Sequence, residues 1–185
     1  GGPRVSGHAD EAGSTETGLP ARVITVSTRA ARGEYADRTG PVLVAALRGL
    51  GFDTPDAVVV PDLASAGEVT LAAALHEALN DGAAVILTTG GTGLSPDDLT
   101  PEITARLGGR LVPGIPEALR AAGVAAGVPT AVLSRGIAVA VGTTLIVNLP
   151  GSRGAVTDGI AVLAEVLPHA AAELRRPPKP RIVAV

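Results

Sequence analysis

Apolar residues recur along this chain in two rhythms. Short runs at residues 22–27, 57–60, 83–87, 130–134, 137–141 and 144–148 read as strands, and the most continuous of them as strands buried on both faces. Elsewhere apolar positions return every three or four residues, the spacing of one helix face. Leu43, Ala46, Leu47 and Leu50 make one stripe, closed by Gly51, and Leu71, Ala74, Leu75, Ala78 and Leu79 make a second. Val156, Ile160, Leu163 and Leu167 make a third, and Pro168 either kinks that helix or opens a new segment reaching Arg175. Ser65 and Glu68 have capping-box spacing ahead of the second stripe. Pro116-Glu117 opens a further helix toward Ala126, and Gly142-Thr143 between two strands signals a hairpin. This order predicts an α/β fold, a doubly wound, mostly parallel sheet with helices on both faces and an antiparallel edge. Residues 21–175 make up that domain. Residues 1–20, polar and poor in large apolar side chains, read as a disordered leader, and residues 176–185 as a stiff Pro-rich tail.

Ligands of such sheets bind beyond the carboxyl ends of the strands, so the residues that follow each run matter most. The third run leads into Thr88-Thr89-Gly90-Gly91-Thr92-Gly93. Three glycines in four positions can bring bare N–H groups against an anion, although such a loop taken alone is more often a tight turn than a ligand cradle. Thr100-Pro101-Glu102 has the form of a helix start with Thr100 as the capping hydroxyl, which leaves the Asp98 carboxylate on the loop to bind a cation. Asp62 follows the second run and is either a strand terminator or a second acid at the same rim. Ser134 and Arg135 follow the fourth run. Pro150-Gly151-Ser152 repeats the strand, turn and helix pattern after the sixth, where a plain helix cap is the simpler reading. The polar stretch 28–41, with Arg29, Arg32 and Arg38, either meets phosphates or is a solvated loop. His8 and His76 have no second ligand at metal spacing.

Composition removes several classes. A net charge of -3 without a basic run, and a single Tyr and a single Phe, argue against nucleic-acid partners. The single lysine, Lys179, lies in the tail, which excludes a P-loop, and Pro96 stands where a dinucleotide fingerprint needs its third glycine. Without cysteine there is no disulfide, thiolate nucleophile or Cys-type zinc site. No uninterrupted apolar stretch reaches the roughly 20 residues of a bilayer span, and the N-terminus lacks the pattern of a signal peptide. A cytoplasmic protein without membrane contact is the expectation.

In order along the chain, Thr88 to Gly93, the run Asp98-Leu99-Thr100-Pro101-Glu102, Pro113-Gly114 with Glu117 and Arg120, Leu133-Ser134-Arg135 and Asn148-Leu149-Pro150-Gly151 resemble the molybdopterin adenylyltransferase family of molybdenum cofactor biosynthesis, which includes the matching domain of gephyrin. The resemblance implies a MogA-like, molybdopterin-binding fold and a homotrimer. It implies Mg2+-dependent transfer of AMP from ATP to the terminal phosphate of molybdopterin, with the product passed to a downstream molybdenum-insertion protein. By position, Asp62 and Asp98 correspond to the family's two important acids and are expected to hold magnesium. The expected substrate-binding residues run from Thr89 through Gly90, Gly91, Thr92 and Gly93 to Ser134, Arg135, Pro150, Gly151 and Ser152. Arg135 is the expected fixed cation. Asp97, where relatives often carry a basic residue, and Thr28, where many carry an acid, depart from the pattern. A MoaB-like paralogue that binds molybdopterin with little or no transfer is the alternative.

Overall fold

A computed structural model describes residues 18–180. The leader expectation for residues 1–17 and the tail expectation for residues 181–185 lie outside the described residues. Six strands and six α-helices follow in the order β1 (Ala21–Val26), α1 (Thr28–Ala31), α2 (Gly40–Gly49), β2 (Val58–Val60), α3 (Leu71–Asn80), β3 (Val85–Thr89), α4 (Thr100–Ala105), β4 (Arg110–Leu111), α5 (Gly114–Ala125), β5 (Ala138–Val141), β6 (Thr144–Leu149) and α6 (Arg153–Arg175). They build one sheet in the order β2-β1-β3-β6-β5-β4. β2, β1, β3 and β6 run parallel, while β5 is antiparallel to both β6 and β4, which is the predicted antiparallel edge. Val141 pairs with Thr144, so Gly142-Thr143 is a two-residue hairpin loop, and Gly142 takes φ +57° as such a turn requires.

β3 is the axis of the sheet. All five of its residues are buried, paired with β1 on one side and β6 on the other. The helices divide between the faces. Leu43, Val44 and Leu47 of α2 and Val156, Leu163 and Leu167 of α6 pack with Val85 and Leu87 on one face. Leu71, Ala74, Leu75 and Ala78 of α3 pack with Ile24, Ile86 and Ile146 on the other. Each fully buried Leu or Ile contributes roughly 1.5–3 kcal/mol relative to exposure. Along β3 successive side chains alternate between the two faces, Val85 and Leu87 to one and Ile86 to the other, which ties the strand's register to both helical layers.

Several elements differ from the sequence expectation. Residues 130–134 form no strand: Pro129–Leu133 is a short 3-10 helix packed against α5. The edge beside β5 is taken by β4, and Pro129 suits a first helical turn because its missing N–H would be unpaired there. Gly123 permits the close approach, since a Cβ on it would lie 2.6 Å from Ala131 Cβ. Thr70, not Ser65, caps α3, accepting from the Ala73 N–H at 3.0 Å. Ser65 and Glu68 instead close a separate turn, in which the Ser65 N–H donates to the Glu68 carboxylate at 2.7 Å and Arg32 pairs with that carboxylate. β3 runs through Thr88 and Thr89, two residues beyond the predicted strand. α6 continues past Pro168 as one 23-residue helix. By length and composition α6 would also suit a bilayer span, but its apolar stripe is buried in the core.

Candidate functional site

β1 leads to β2 on one side, and β2 leads by way of α3 back across β1 to β3 on the other, so the sheet has its topological switch between β1 and β3. A crevice is expected above that point. A cavity of about 540 Å³ lies there, within the range that holds a small organic ligand. Residues following four different strands line it: Ser27 after β1, Asp62 after β2, the Gly90–Gly93 loop after β3, and Pro150, Gly151 and Ser152 after β6.

The glycine loop is held by its carbonyls. Thr100 Oγ1 donates to Gly90 O at 2.9 Å and the Thr100 N–H to Gly91 O at 3.1 Å. The Arg135 N–H donates to Thr92 O at 2.9 Å and Arg135 Nε to Gly93 O at 2.8 Å. The Gly90 N–H donates to Leu149 O at 3.0 Å, so that amide is used inside the fold. The amides of Gly91, Thr92 and Gly93 have no protein acceptor among the described residues. With every loop carbonyl engaged and three successive amides left over, the loop presents donors to the cavity it lines, the arrangement of an anion-binding nest. Only glycine fits the first two positions. Gly90 has φ +101° and Gly91 φ +67°, and a Cβ on them would overlap Val26 O and Thr100 Oγ1.

Both candidate acids line the same cavity, half-buried. Asp62 Oδ2 accepts from the Thr28 N–H at 3.0 Å and from Thr28 Oγ1 at 2.9 Å. Thr28 is thus the residue that orients Asp62. Asp98 Oδ2 accepts from the Ser95 N–H at 3.0 Å. Thr100 is not the cap of α4: Leu99 occupies that position without a side-chain bond, and the Thr100 hydroxyl ties the glycine loop instead. In each acid Oδ1 has no hydrogen-bond partner among the described residues, so one oxygen is anchored and one is available. Two such hard oxygen donors fit Mg2+, which typically takes one or two carboxylates and completes its shell with water and phosphate oxygens. Among the described residues no group of three or more metal-ligating side chains exists to hold a metal by protein atoms alone.

Of the other predicted site residues, Ser134 lines the cavity, its Oγ 3.3 Å from Thr92 Oγ1. Thr89 and Arg135 are not part of this lining. Thr89 Oγ1 donates to Pro150 O at 2.9 Å and lies 3.2 Å from Thr39 Oγ1, whose own proton can complete the pair. The Arg135 guanidinium is a strut that donates to Gly93 O, Asp98 O and the Glu102 carboxylate. Asp97 is exposed and outside the lining. His76 is exposed on α3.

The sequence matches the family described as "Probable molybdopterin binding domain" over residues 22–169. The chain belongs to this molybdopterin-binding domain family. It is 42% identical over 158 residues to a molybdenum cofactor biosynthesis bifunctional protein of Synechococcus elongatus, covering 85% of this chain and 48% of that protein. It is 36% identical to a molybdopterin adenylyltransferase of Haemophilus influenzae, over 74% of this chain and 68% of that one. The solved Mog protein of Mycobacterium ulcerans superposes with a TM-score of 0.77 at 44% identity, covering 84% of this chain and 99% of that one. The chain spans about half the length of the first of these curated relatives.

Some residues of this molybdopterin-binding domain's cavity escaped the sequence reading. Asp158 lies about one helical turn beyond Ala155 on α6, a spacing that puts the two on one helix face. Arg120, part of the matched pattern, lines the cavity while donating to Ser134 O and Gly136 O. Three carboxylates, Asp62, Asp98 and Asp158, therefore face one guanidinium in the lining. A divalent cation would offset that charge for a polyanion entering here.

The Glu102–Arg135 pair also gives the site a pH dependence. Arg135 beside it holds the Glu102 carboxyl below the usual glutamate range. A carboxyl depressed in the folded state stabilises the fold above its unfolded pKa and loses that contribution as pH falls through the folded value. The pair is about 40% exposed, so its effect is modest, up to about 1 kcal/mol. Glu102→Gln is expected to melt a few degrees lower at about pH 7 and to converge on the parent protein as pH falls below the usual glutamate range. Melting curves across that range check it.

Proposed function

We propose that this domain acts in molybdenum cofactor biosynthesis as a molybdopterin adenylyltransferase. It transfers AMP from ATP to the terminal phosphate of molybdopterin, giving adenylyl-molybdopterin and pyrophosphate. The observation that carries this reading is the pairing, in one cavity at the switch point, of two anchored carboxylates with three unoccupied amides. The attacking atom is an oxygen of the molybdopterin phosphate. It bonds to the α-phosphorus of ATP as the bond to the β-phosphate oxygen breaks, and the electron pair leaves with pyrophosphate. No nucleophilic side chain is needed, so the chain's task is positioning and charge stabilisation. The amides of Gly91, Thr92 and Gly93 bind an anionic substrate group, and Asp62 and Asp98 hold magnesium. Magnesium, when bound, offsets the charge of the phosphates and of the three acids.

The homotrimer belongs to the same reading. Val124 on α5 and Val132 on the 3-10 turn, 44% and 61% exposed, adjoin Val128 and Leu133 of the cavity wall, apolar positions suited to a further copy of the chain at the cavity's rim. Light scattering on the eluted protein is expected to give three times the chain mass. Transfer of the product to a molybdenum-insertion protein completes the proposal.

Incubation with molybdopterin and Mg-ATP is expected to yield one pyrophosphate per molybdopterin gaining the mass of an adenylyl group, and none without magnesium. Bound molybdopterin with no pyrophosphate release would replace transferase with the binding-only paralogue.

A further inference from the structure

A second cavity of about 500 Å³ adjoins the first and shares Val26, Ser27, Tyr35 and Gly151 with it. Its charge is opposite. Arg29, Arg38 and Arg153 line it against a single carboxylate, Asp37. That carboxylate is spent within the fold: Oδ1 accepts the N–H groups of Thr39 and Gly40 at 3.2 and 3.0 Å, and Oδ2 accepts Thr25 Oγ1 at 2.8 Å. The α2 amides are thereby neutralised, so the positive charge of the cavity resides in its arginines. Arg29 pairs with Glu34 at 3.2 Å and lies over the Tyr35 ring, whereas Arg38 and Arg153 have no ion-pair or hydrogen-bond partner among the described residues. Two uncommitted guanidiniums in a concave, polar site next to an acidic cavity are suited to several phosphate oxygens at once.

We infer that this second cavity is a diphosphate subsite, with Arg38 and Arg153 as its ligands. Resting on the adenylyl-transfer reading, it takes the β- and γ-phosphates of the nucleotide. The α-phosphate then lies at the shared boundary, where a Cβ on Gly151 would come 3.2 Å from Gly90 Cα. The attacking phosphate approaches from the acidic cavity, and pyrophosphate leaves on the arginine side.

Tyr35 is the only tyrosine in a chain without tryptophan and lines both cavities, so its fluorescence reports binding directly. Titration of the unmodified protein with pyrophosphate is expected to give a saturable change in that signal. Arg38→Gln and Arg153→Gln, both at exposed positions, are each expected to weaken pyrophosphate and ATP binding by about tenfold or more and AMP binding by less than about twofold. No saturable signal in the parent, or unchanged pyrophosphate affinity in both variants, overturns the inference. If those variants leave pyrophosphate affinity unchanged while the parent makes adenylyl-molybdopterin, the subsite fails and the reaction stands. If pyrophosphate binds through these arginines and no adenylylated product forms, the subsite stands and the reaction fails.

Discussion

Asp98→Asn is expected to lower adenylyl transfer by about 10³-fold, or about 4 kcal/mol of transition-state stabilisation, while the domain keeps its fold. The two consequences separate because the two oxygens of Asp98 have different tasks. Oδ2 accepts the Ser95 N–H at 3.0 Å and shapes the loop, and an asparagine carbonyl can do the same. The oxygen without a partner loses its charge, and with it the ability to hold a dication against two phosphates. Melting temperature is therefore expected to move by no more than a few degrees while the magnesium requirement rises. Asp62→Asn is expected to behave similarly, because Thr28 still positions the side chain through its N–H and hydroxyl. Pyrophosphate release measured against magnesium concentration, alongside melting curves, checks both variants. Near-parental turnover in either removes that residue from the metal site.

Gly90→Ala is the substitution expected to harm the fold most at this site. At φ +101° a side chain costs about 1–2 kcal/mol in backbone strain alone. The added Cβ would also overlap Val26 O at the end of β1, and relieving that clash by moving β1 or β3 costs about 1–3 kcal/mol more. The sum of about 3 kcal/mol corresponds to a fall in melting temperature of about 6–12 °C for a domain of this size. Because the shift displaces the amides of Gly91, Thr92 and Gly93, substrate binding is expected to weaken in the molecules that remain folded. Denaturant unfolding with a molybdopterin titration separates the two effects. Gly82→Ala is the control: φ +76° carries the strain, but no atom lies within 4 Å of its Cβ.

What could be read in the sequence follows how local each determinant is. The parallel sheet was legible because buried strands such as Val85-Ile86-Leu87 and helix stripes such as Leu71, Ala74, Leu75 and Ala78 write their burial into a short window. The hairpin at Gly142 was legible for the same reason. The fate of Thr130 to Ser134 was not, since a β-branched apolar run looks like a strand until another segment, β4, has taken the edge beside β5. Thr88 and Thr89 look like loop residues by polarity, yet they are fully buried because their hydroxyls meet Asn148, Thr39 and Pro150 across the sheet. Arg135 illustrates the limit most clearly. Its position after an expected strand suggested a cation for substrate, but its three engagements with Gly93, Asp98 and Glu102 depend on distances that no spacing rule encodes. The same holds for Thr28, whose value lies in the carboxylate of Asp62, 34 residues away.

The central claim is that Asp62, Asp98 and the amides of the glycine loop surround one metal-bridged phosphate site. Its most direct test is an amide-resolved NMR titration with Mn2+ and a non-hydrolysable ATP analogue in the presence of molybdopterin. Paramagnetic broadening is expected to centre on Asp62, Asp98 and Gly91 to Gly93, with the outer face of α3 unaffected. Sharp signals at those five residues, with broadening centred elsewhere, would contradict it.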